Sequence, residues 1–202
     1  MSDKKVIAFV GMPGSGKGTC TTYLSEMYHF PVIHFGNMVY EEVERRGMDN
    51  VKDEKFVRED MRAMEGPSVL AKHAARRVDE FFGEGNEIVV LDGLYSWTEY
   101  KFLHRKYGDE LILVATTAAK NVRHQRILDR VDSHRKYTSV QQIIDREIAE
   151  IENLEKGGPI AYADFTILNN SSKEFLLQDL EMLLRQNEIL KPSQPLPEQP
   201  SS

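Results

Sequence analysis

The residues with the clearest chemical meaning form a glycine-rich segment close to the start of the chain. Its members are Gly11, Met12, Pro13, Gly14, Ser15, Gly16, Lys17, Gly18 and Thr19. Glycines let a backbone curl so that successive N–H groups point at phosphate oxygens, and a lysine at the end of the curl adds a positive charge. A segment of this kind between a strand and a helix is typical of a loop that binds a nucleoside triphosphate. The dinucleotide-binding pattern Gly-x-Gly-x-x-Gly is excluded, because Thr19 stands where its third glycine belongs.

A basic segment in the second half of the chain provides further candidate contacts to phosphate. Between residues 120 and 146, seven lysines and arginines stand against three aspartates, which gives +4 in a protein of net charge −6. The cations are Lys120, Arg123, Arg126, Arg130, Arg135, Lys136 and Arg146. Enzymes that transfer phosphoryl groups use such cations to neutralise charge on the oxygens in transit. The alternative interpretation is a solvated helix face with charge pairs four residues apart.

Buried strands and the helices between them must position these groups. Short runs of apolar and β-branched residues predict strands at residues 6–10, 31–35, 88–91, 111–115 and 165–168. The intervening segments predict helices at residues 18–28, 38–46, 54–64, 67–82, 98–107, 119–130, 139–155 and 173–186. The sequence Gly157-Gly158-Pro159 predicts a stop after the penultimate helix. This alternation predicts an α/β fold in which a five-stranded parallel sheet carries helices on both faces.

The composition argues against several other classes of protein. With 202 residues, of which 41% are hydrophobic and 29% charged, the chain fits one globular domain. A net charge of −6 argues against broad attraction to nucleic acid or to an anionic membrane. The single cysteine, Cys20, excludes an internal disulfide framework and a multi-cysteine zinc site.

The ends of the chain add two expectations. The start offers only a short apolar run followed by glycine, so neither a signal peptide nor a membrane span fits. We therefore expect a cytoplasmic protein, and we expect it to be a monomer. Residues 191–202 are rich in proline and polar residues, which predicts a disordered tail.

The loop sequence Gly-x-Pro-Gly-x-Gly-Lys-Gly-Thr resembles the adenylate kinase branch of the P-loop kinases. Up to about residue 185 the chain looks like a nucleoside monophosphate kinase, and it is similar to a poorly characterised group of adenylate-kinase-like proteins with a compact lid. The resemblance implies a three-layer P-loop fold over residues 1–190, with an acceptor-binding insert at about 37–66 and a short lid at about 131–139.

The same resemblance implies roles for particular residues. Lys17 and the amides of the loop would hold the phosphates of ATP, and Arg126 would also contact this nucleotide. The cations that would act on the transferred phosphoryl group are Arg126, Arg130, Arg135 and Arg146. Asp92, at the end of the predicted third strand, would order the water around Mg²⁺. The generic loop has Ser or Thr directly after its lysine, but Gly18 stands there, so Thr19 is only a second candidate for this metal, through water.

The acceptor side departs from the family pattern. Where the family has Gly-Asp-x-x-Arg, this chain has Asn37 in place of the aspartate and Tyr40 in place of the arginine. The arginine that usually follows Asp-Gly is also absent. A phenol provides orientation and stacking but no charge. The candidate acceptor contacts are therefore Asn37, Tyr40, Asp92 and Tyr95.

The resemblance leaves three functions open. The leading hypothesis is a kinase that moves the γ-phosphoryl group of ATP to a nucleoside monophosphate or a similar nucleotide-like acceptor. A kinase for an alcohol resembling dephospho-coenzyme A is the second. The third is a regulatory protein that binds or hydrolyses ATP without a true acceptor. A GTP switch is disfavoured, because the guanine-binding pattern Asn-Lys-x-Asp is absent.

Overall fold

The structure, a computed structural model, describes residues 4–49, 52–130 and 137–190. Several sequence predictions fall wholly or partly outside these ranges. Arg135 and the tail predicted at 191–202 lie outside the described residues, and only residues 137–139 of the predicted lid lie within them.

Five parallel strands form one sheet in the order β2-β3-β1-β4-β5. The strands are β1 (Lys5–Val10), β2 (Val32–His34), β3 (Ile88–Asp92), β4 (Leu111–Thr117) and β5 (Phe165–Leu168). This confirms the predicted parallel sheet. Because β1 lies between β3 and β4, the loop that follows it is flanked by the carboxyl ends of both neighbours, where α/β folds bind their ligands.

Helices cover both faces of the sheet. They are α1 (Lys17–Tyr28), α2 (Phe35–Arg45), α3 (Glu54–Glu65), α4 (Val69–Gly83), α5 (Trp97–Tyr107), α6 (Lys120–Leu128), α7 (Val140–Leu154), α8 (Gly157–Ala161) and α9 (Lys173–Gln186). Side chains alternate along a strand, so β1 contributes Val6 to the core beneath α2–α5 and Ile7 to the core beneath α1 and α9. Burial on both faces explains the continuous apolar runs of the three inner strands, β1, β3 and β4.

The prediction of a stop at Gly157-Gly158-Pro159 is wrong in one respect. Helix α7 ends earlier, at Leu154, and Glu155 caps it in the left-handed conformation with φ 52°. The two glycines and the proline then lie in α8, because proline is compatible with the first turn of a helix. None of the helices in the described ranges is both long and apolar enough to cross a lipid bilayer.

Candidate functional site

The glycine-rich segment forms a tight loop between β1 and α1. Gly11, Gly14 and Gly16 all have positive φ angles, of 149°, 78° and 108°. A Cβ atom on Gly11 would lie 2.3 Å from the carbonyl oxygen of Thr116 on β4. A Cβ atom on Gly16 would lie 2.3 Å from Nδ2 of Asn169. The loop is therefore packed against its neighbours so closely that only glycine fits at these positions.

The first turn of α1 presents backbone N–H groups that the helix itself does not use. Its first hydrogen bond of helical type runs from the Cys20 N–H to the Gly16 carbonyl, at 3.2 Å. The N–H groups of the preceding residues have no carbonyl within the helix to bind. Within the part of the chain that the structure describes, no side chain caps this end of α1. Free N–H groups at a helix N-terminus suit an anion.

Lys17 places its ammonium group inside this loop. Its Nζ donates hydrogen bonds to the carbonyl oxygens of Gly11 at 2.9 Å and Met12 at 3.3 Å. Burial and the positive charge of Lys156 lower the pKa of Lys17 to about 7, although the carboxylates of Asp92 and Glu150 act in the opposite direction. The ammonium group is thus short of negative partners, and an anion in the loop would supply them.

Asp92 ends β3 beside the loop and is held by two neighbours. His34, at the end of β2, lies with Nδ1 3.0 Å from Oδ2 of Asp92, and the Thr21 hydroxyl on α1 donates to the same oxygen at 3.3 Å. Burial opposes ionisation of Asp92, but these hydrogen bonds and the charge of Lys17 keep its pKa below the usual range. Asp92 is therefore a carboxylate directed at the crevice.

His34 was missed by sequence reasoning, although a signal for it was available. It occupies the carboxyl end of a parallel strand, as Asp92 does, and the two residues are register partners. Because such ends meet at one edge of a sheet, the rule that selected Asp92 also selects His34.

The donor set around Asp92 is suited to a hydrated cation. A Cβ atom on Gly18 would lie 4.0 Å from Asp92 Oδ2, so this carboxylate faces the start of α1 without a side chain between them. The described residues contain no cluster of three or more His, Cys, Asp or Glu side chains that could hold a metal ion by themselves. A magnesium ion fits here only if phosphate oxygens and water supply most of its ligands. Thr19 lies in the first turn of α1, and its role stays a prediction.

Asn169, directly after β5, fastens the loop from the opposite side. Its Nδ2 donates to the carbonyl oxygen of Ser15 at 2.9 Å, and the Ser15 hydroxyl lies 2.9 Å from the hydroxyl of Thr116. Arg126 in turn donates to the carbonyl oxygens of Asn169 at 2.9 Å and Ser171 at 3.1 Å. The structure thus places Arg126 against the segment after β5, at the rim of the phosphate loop.

Arg123, which the sequence showed only as part of the basic segment, is tied to the loop as well. Its guanidinium donates to the carbonyl oxygen of Pro13 at 3.2 Å and pairs with the buried Glu147 of α7. Glu147 also lies 3.0 Å from Nε2 of His124. This buried cluster connects α6, α7 and the phosphate loop.

Arg146 belongs to a second cluster, which centres on the buried Glu150, about one turn after Glu147 in α7. Its Nε donates to Glu150 at 2.8 Å, and its guanidinium also donates to the Tyr137 hydroxyl at 2.5 Å. Glu150 is shared with Lys156, whose Nζ donates to it at 2.5 Å. Two cations hold the pKa of Glu150 at about 2, despite burial that works against its ionisation. Arg130, by contrast, is exposed just after α6.

Tyr95 is fixed at the side of the crevice by a buried carboxylate. The N–H groups of Tyr95 and Ser96 both donate to Oε2 of Glu99 at 3.1 Å, and the Ser96 hydroxyl accepts from the Glu99 N–H to complete a capping box for α5. The Tyr95 ring meets Phe35 edge to face. Burial raises the pKa of its hydroxyl to about 12. Tyr95 is thus a neutral aromatic wall.

The other candidate acceptor residues lie on α2. Asn37 is exposed in its first turn, and Tyr40 follows three residues later with a partly buried side chain. A Cβ atom on the adjoining Gly36 would lie 3.6 Å from the Tyr95 hydroxyl, so the start of α2 is next to this ring.

Two arginines of the insert, Arg58 and Arg62, are largely buried, although the sequence favoured a solvated helix for them. Arg62 is only 15% exposed and lies 3.4 Å from Glu99. Arg58 donates to Glu54 at 2.5 Å, and its Nε is buried without a hydrogen-bond partner among the described residues. The charge of Arg58 reaches Tyr95, whose pKa it lowers slightly against the effect of burial. Arg45, Arg46, Arg58 and Arg62 are possible substitutes for the absent acceptor arginines by sequence, but the surplus of acidic residues around them favoured a solvated helix for each.

Comparison of the sequence with known families gives a match over most of the chain. The family model described as an AAA domain matches residues 10–180. A UPF0200 protein of Methanosarcina barkeri is 30% identical over 181 residues, which cover 89% of this chain and 94% of that protein. A UPF0200/UPF0201 protein of Archaeoglobus fulgidus is 32% identical, and the chain spans 55% of its length.

Solved structures with a similar fold include small-molecule kinases. Shikimate kinase from Acinetobacter baumannii, in complex with shikimate, matches with a TM-score of 0.61 at 17% identity and covers 94% of this chain and 97% of that one. A gluconokinase from Sinorhizobium meliloti matches with a TM-score of 0.55 at 14% identity, over 94% and 98% of the two chains. The fold is therefore that of the P-loop kinases.

Proposed function

Since this chain belongs to the AAA domain family and to the UPF0200 family, we propose that it transfers the γ-phosphoryl group of ATP to a small-molecule acceptor. One observation carries the donor half of this proposal. The loop of residues 11–19 combines unused N–H groups, glycines that no other residue can replace, and a lysine short of negative partners. A polyphosphate would accept hydrogen bonds from the N–H groups and supply negative charge to the lysine, and the glycines give the loop the shape that permits both.

The remaining groups of the donor site have separate tasks. Lys17 moves from the carbonyl oxygens of the loop to the outer phosphates. Asp92 orders water around a magnesium ion, which neutralises phosphate charge when it is bound. Arg146 is held by Glu150 and Tyr137 at the side of the crevice, where it can act on the transferred group. We retain Arg126, Arg130 and Arg135 as further contributors from the segment before and within the predicted lid.

The acceptor is proposed to be a nucleoside monophosphate or a similar nucleotide-like molecule. Tyr95 offers a rigid aromatic surface for a base, and Asn37 and Tyr40 lie on α2, whose first turn approaches the Tyr95 hydroxyl at Gly36. Arg58 supports an anionic acceptor, since its buried Nε has a hydrogen bond still to donate within the described chain. We assign residues 37–66 to this acceptor-binding insert, within a kinase domain that extends over residues 1–190.

A coupled assay for ADP release tests this proposal. Purified protein with MgATP is presented with each nucleoside monophosphate and with dephospho-coenzyme A. Turnover that rises with one acceptor, and that falls at least about 100-fold in Asp92→Asn, supports the kinase. The exposed Asp109→Asn is the matched control and keeps full turnover. ATP binding without stimulation by any acceptor would instead favour a regulatory ATP-binding protein.

Proton uptake on binding of MgATP tests the protonation state of Lys17 in the free protein. At pH 8 a lysine with a pKa of about 7 is mostly neutral in the free protein, and nearby phosphates raise its pKa again. Binding of MgATP at pH 8 should therefore take up about one proton, whereas at pH 6 Lys17 is already charged and takes up little. Calorimetry in buffers of different ionisation enthalpy measures this number. Lys101→Met, which removes an exposed lysine, should take up the same number of protons as the wild type. Equal proton counts at pH 8 and pH 6 in the wild type would contradict the assignment.

Asn169 should matter for ATP binding without touching the phosphates. In Asn169→Ala the carbonyl oxygen of Ser15 and the guanidinium of Arg126 both lose a partner, so the loop is less well held. We expect the Kd for MgATP to rise about tenfold, which corresponds to roughly 1.4 kcal/mol. Asn153→Ala, at an exposed position of α7, serves as the control and should bind normally. Equal affinities of the two variants would show that the loop does not depend on this bridge.

A further inference from the structure

We propose that Lys156 is a second cation of the phosphate site and contacts the phosphoryl group as it passes from donor to acceptor. This inference rests on the proposed function and extends it to a residue outside the loop and outside the basic segment. No sequence motif includes Lys156, which stands between the predicted end of a helix and two glycines.

The backbone directs Lys156 inward and holds it there. The residue lies in the turn between α7 and α8, directly after Glu155 in its left-handed conformation. On its other side Gly158 packs so closely on Trp97 that a Cβ atom would lie 3.1 Å from the indole ring. The side chain of Lys156 is only 4% exposed, although lysine normally keeps its ammonium group in water.

The ammonium group of Lys156 lies between the two halves of the site. On the acceptor side, Nζ is 5.2 Å from the centroid of the Tyr95 ring. On the donor side, its charge lowers the pKa of Lys17 more than any other charged group does. A phosphoryl group that moves from the loop toward Tyr95 is therefore attracted by both lysines.

The buried charges around Lys156 do not balance. Glu150 is the carboxylate to which both Lys156 and Arg146 donate, so this cluster carries one positive charge in excess. The charge of Glu147 also raises the pKa of Lys156, but Glu147 is already paired with Arg123. Tyr95, whose ring lies beside Lys156, is neutral. Burial lowers the pKa of Lys156 in spite of Glu150, which is the behaviour of a cation without enough negative charge nearby. A buried excess charge is costly for a fold, and an anionic ligand compensates it.

A structural ion pair makes a different prediction, which permits a sharp test. If Lys156 served only to neutralise Glu150, removing both charges together would restore a normal protein. If Lys156 also binds the phosphoryl group, the double variant should be as stable as the wild type but should still bind the γ-phosphate more weakly.

The test compares the affinity for a non-hydrolysable ATP analogue with that for ADP, both with Mg²⁺, by calorimetry. The variants are Lys156→Met, Glu150→Gln, the double variant, and Lys101→Met on the exposed face of α5 as the control. We expect Lys156→Met and the double variant to bind the analogue about tenfold more weakly and ADP within about twofold of wild type. Glu150→Gln and Lys101→Met should retain at least the wild-type preference for the analogue. Thermal unfolding identifies any variant that fails to fold, and the double variant guards against that failure.

Two results would overturn the inference while leaving the proposed function intact. One is a double variant with the wild-type ratio of affinities, which would make Lys156 a structural partner of Glu150 alone. The other is an equal loss of affinity for the analogue and for ADP. If wild-type protein binds neither nucleotide, the proposed function fails first and this inference fails with it.

Discussion

Lys17→Met should abolish measurable ATP binding and leave the protein at least as stable as the wild type. The wild-type ammonium group donates to two carbonyl oxygens of the loop and has no carboxylate in direct contact among the described residues. Loss of a buried charged contact to phosphate typically costs 2–5 kcal/mol, so we expect the Kd to rise by about 100-fold or more. Calorimetry with MgATP measures this change, and unchanged affinity would contradict the placement of the phosphate loop.

The stability of the same variant follows from the pKa of Lys17. This pKa is about 7 in the folded protein and 10.5 in an unfolded chain, so the unfolded state binds more protons between these values. The wild type therefore gains stability from this residue as pH rises from 7 to about 10, and Lys17→Met lacks that gain. Urea unfolding at pH 7 and pH 9 measures the difference. Lys101→Met, which removes an exposed lysine, should keep the wild-type pH dependence.

Gly11→Ala, which adds a single methyl group, should strongly reduce both the stability of the protein and its binding of ATP. Its Cβ would lie 2.3 Å from the carbonyl oxygen of Thr116 and 2.6 Å from the Ser15 hydroxyl oxygen, and its φ of 149° is rarely adopted by other residues. The carbonyl belongs to strand β4, which is paired on both sides with β1 and β5, and it cannot give way without disturbing the sheet. We expect a loss of about 3 kcal/mol or more in the free energy of unfolding, together with loss of ATP binding.

Gly47→Ala is the matched control for this substitution. Gly47 also has a positive φ, of 69°, but nothing lies within 4 Å of the position that its Cβ would take. It therefore reports backbone strain alone, which costs about 1 kcal/mol. Urea unfolding of the two variants separates strain from crowding. If both lose the same stability, the close contact between the loop and β4 is not what requires glycine at position 11.

Much of the framework was predictable because its signals are local. Uninterrupted apolar runs predicted all five strands, and each one lies in the parallel sheet. The predicted helices differ from the structure by a few residues at their ends, and α8 was not predicted, because two glycines and a proline usually end a helix. The carboxyl-end rule selected Asp92 because that rule needs only the place of a residue in its strand.

The partners of these residues could not be predicted in the same way. Sequence patterns associated Arg126 with the transferred phosphoryl group, whereas its present contacts are to the segment after β5. The acidic neighbours of Arg58 and Arg62 favoured a solvated helix, but both side chains are largely buried in the fold, and Arg62 lies 3.4 Å from Glu99. Charge counts along a chain do not report which face of a helix is buried.

By itself, the sequence determined the phosphate loop, the order of strands and helices along the chain, and the absence of the usual arginines from the acceptor side. The conformational freedom of glycine, the periodicity of apolar residues and the start of a helix each depend on a few neighbouring residues. They can therefore be predicted from the sequence alone. Only the tertiary structure brought Asn169 to Ser15, His34 to Asp92 and Lys156 to Tyr95. These pairs meet because crossover connections return distant segments to one edge of the sheet, and the packing of helices against that edge decides which side chains face each other.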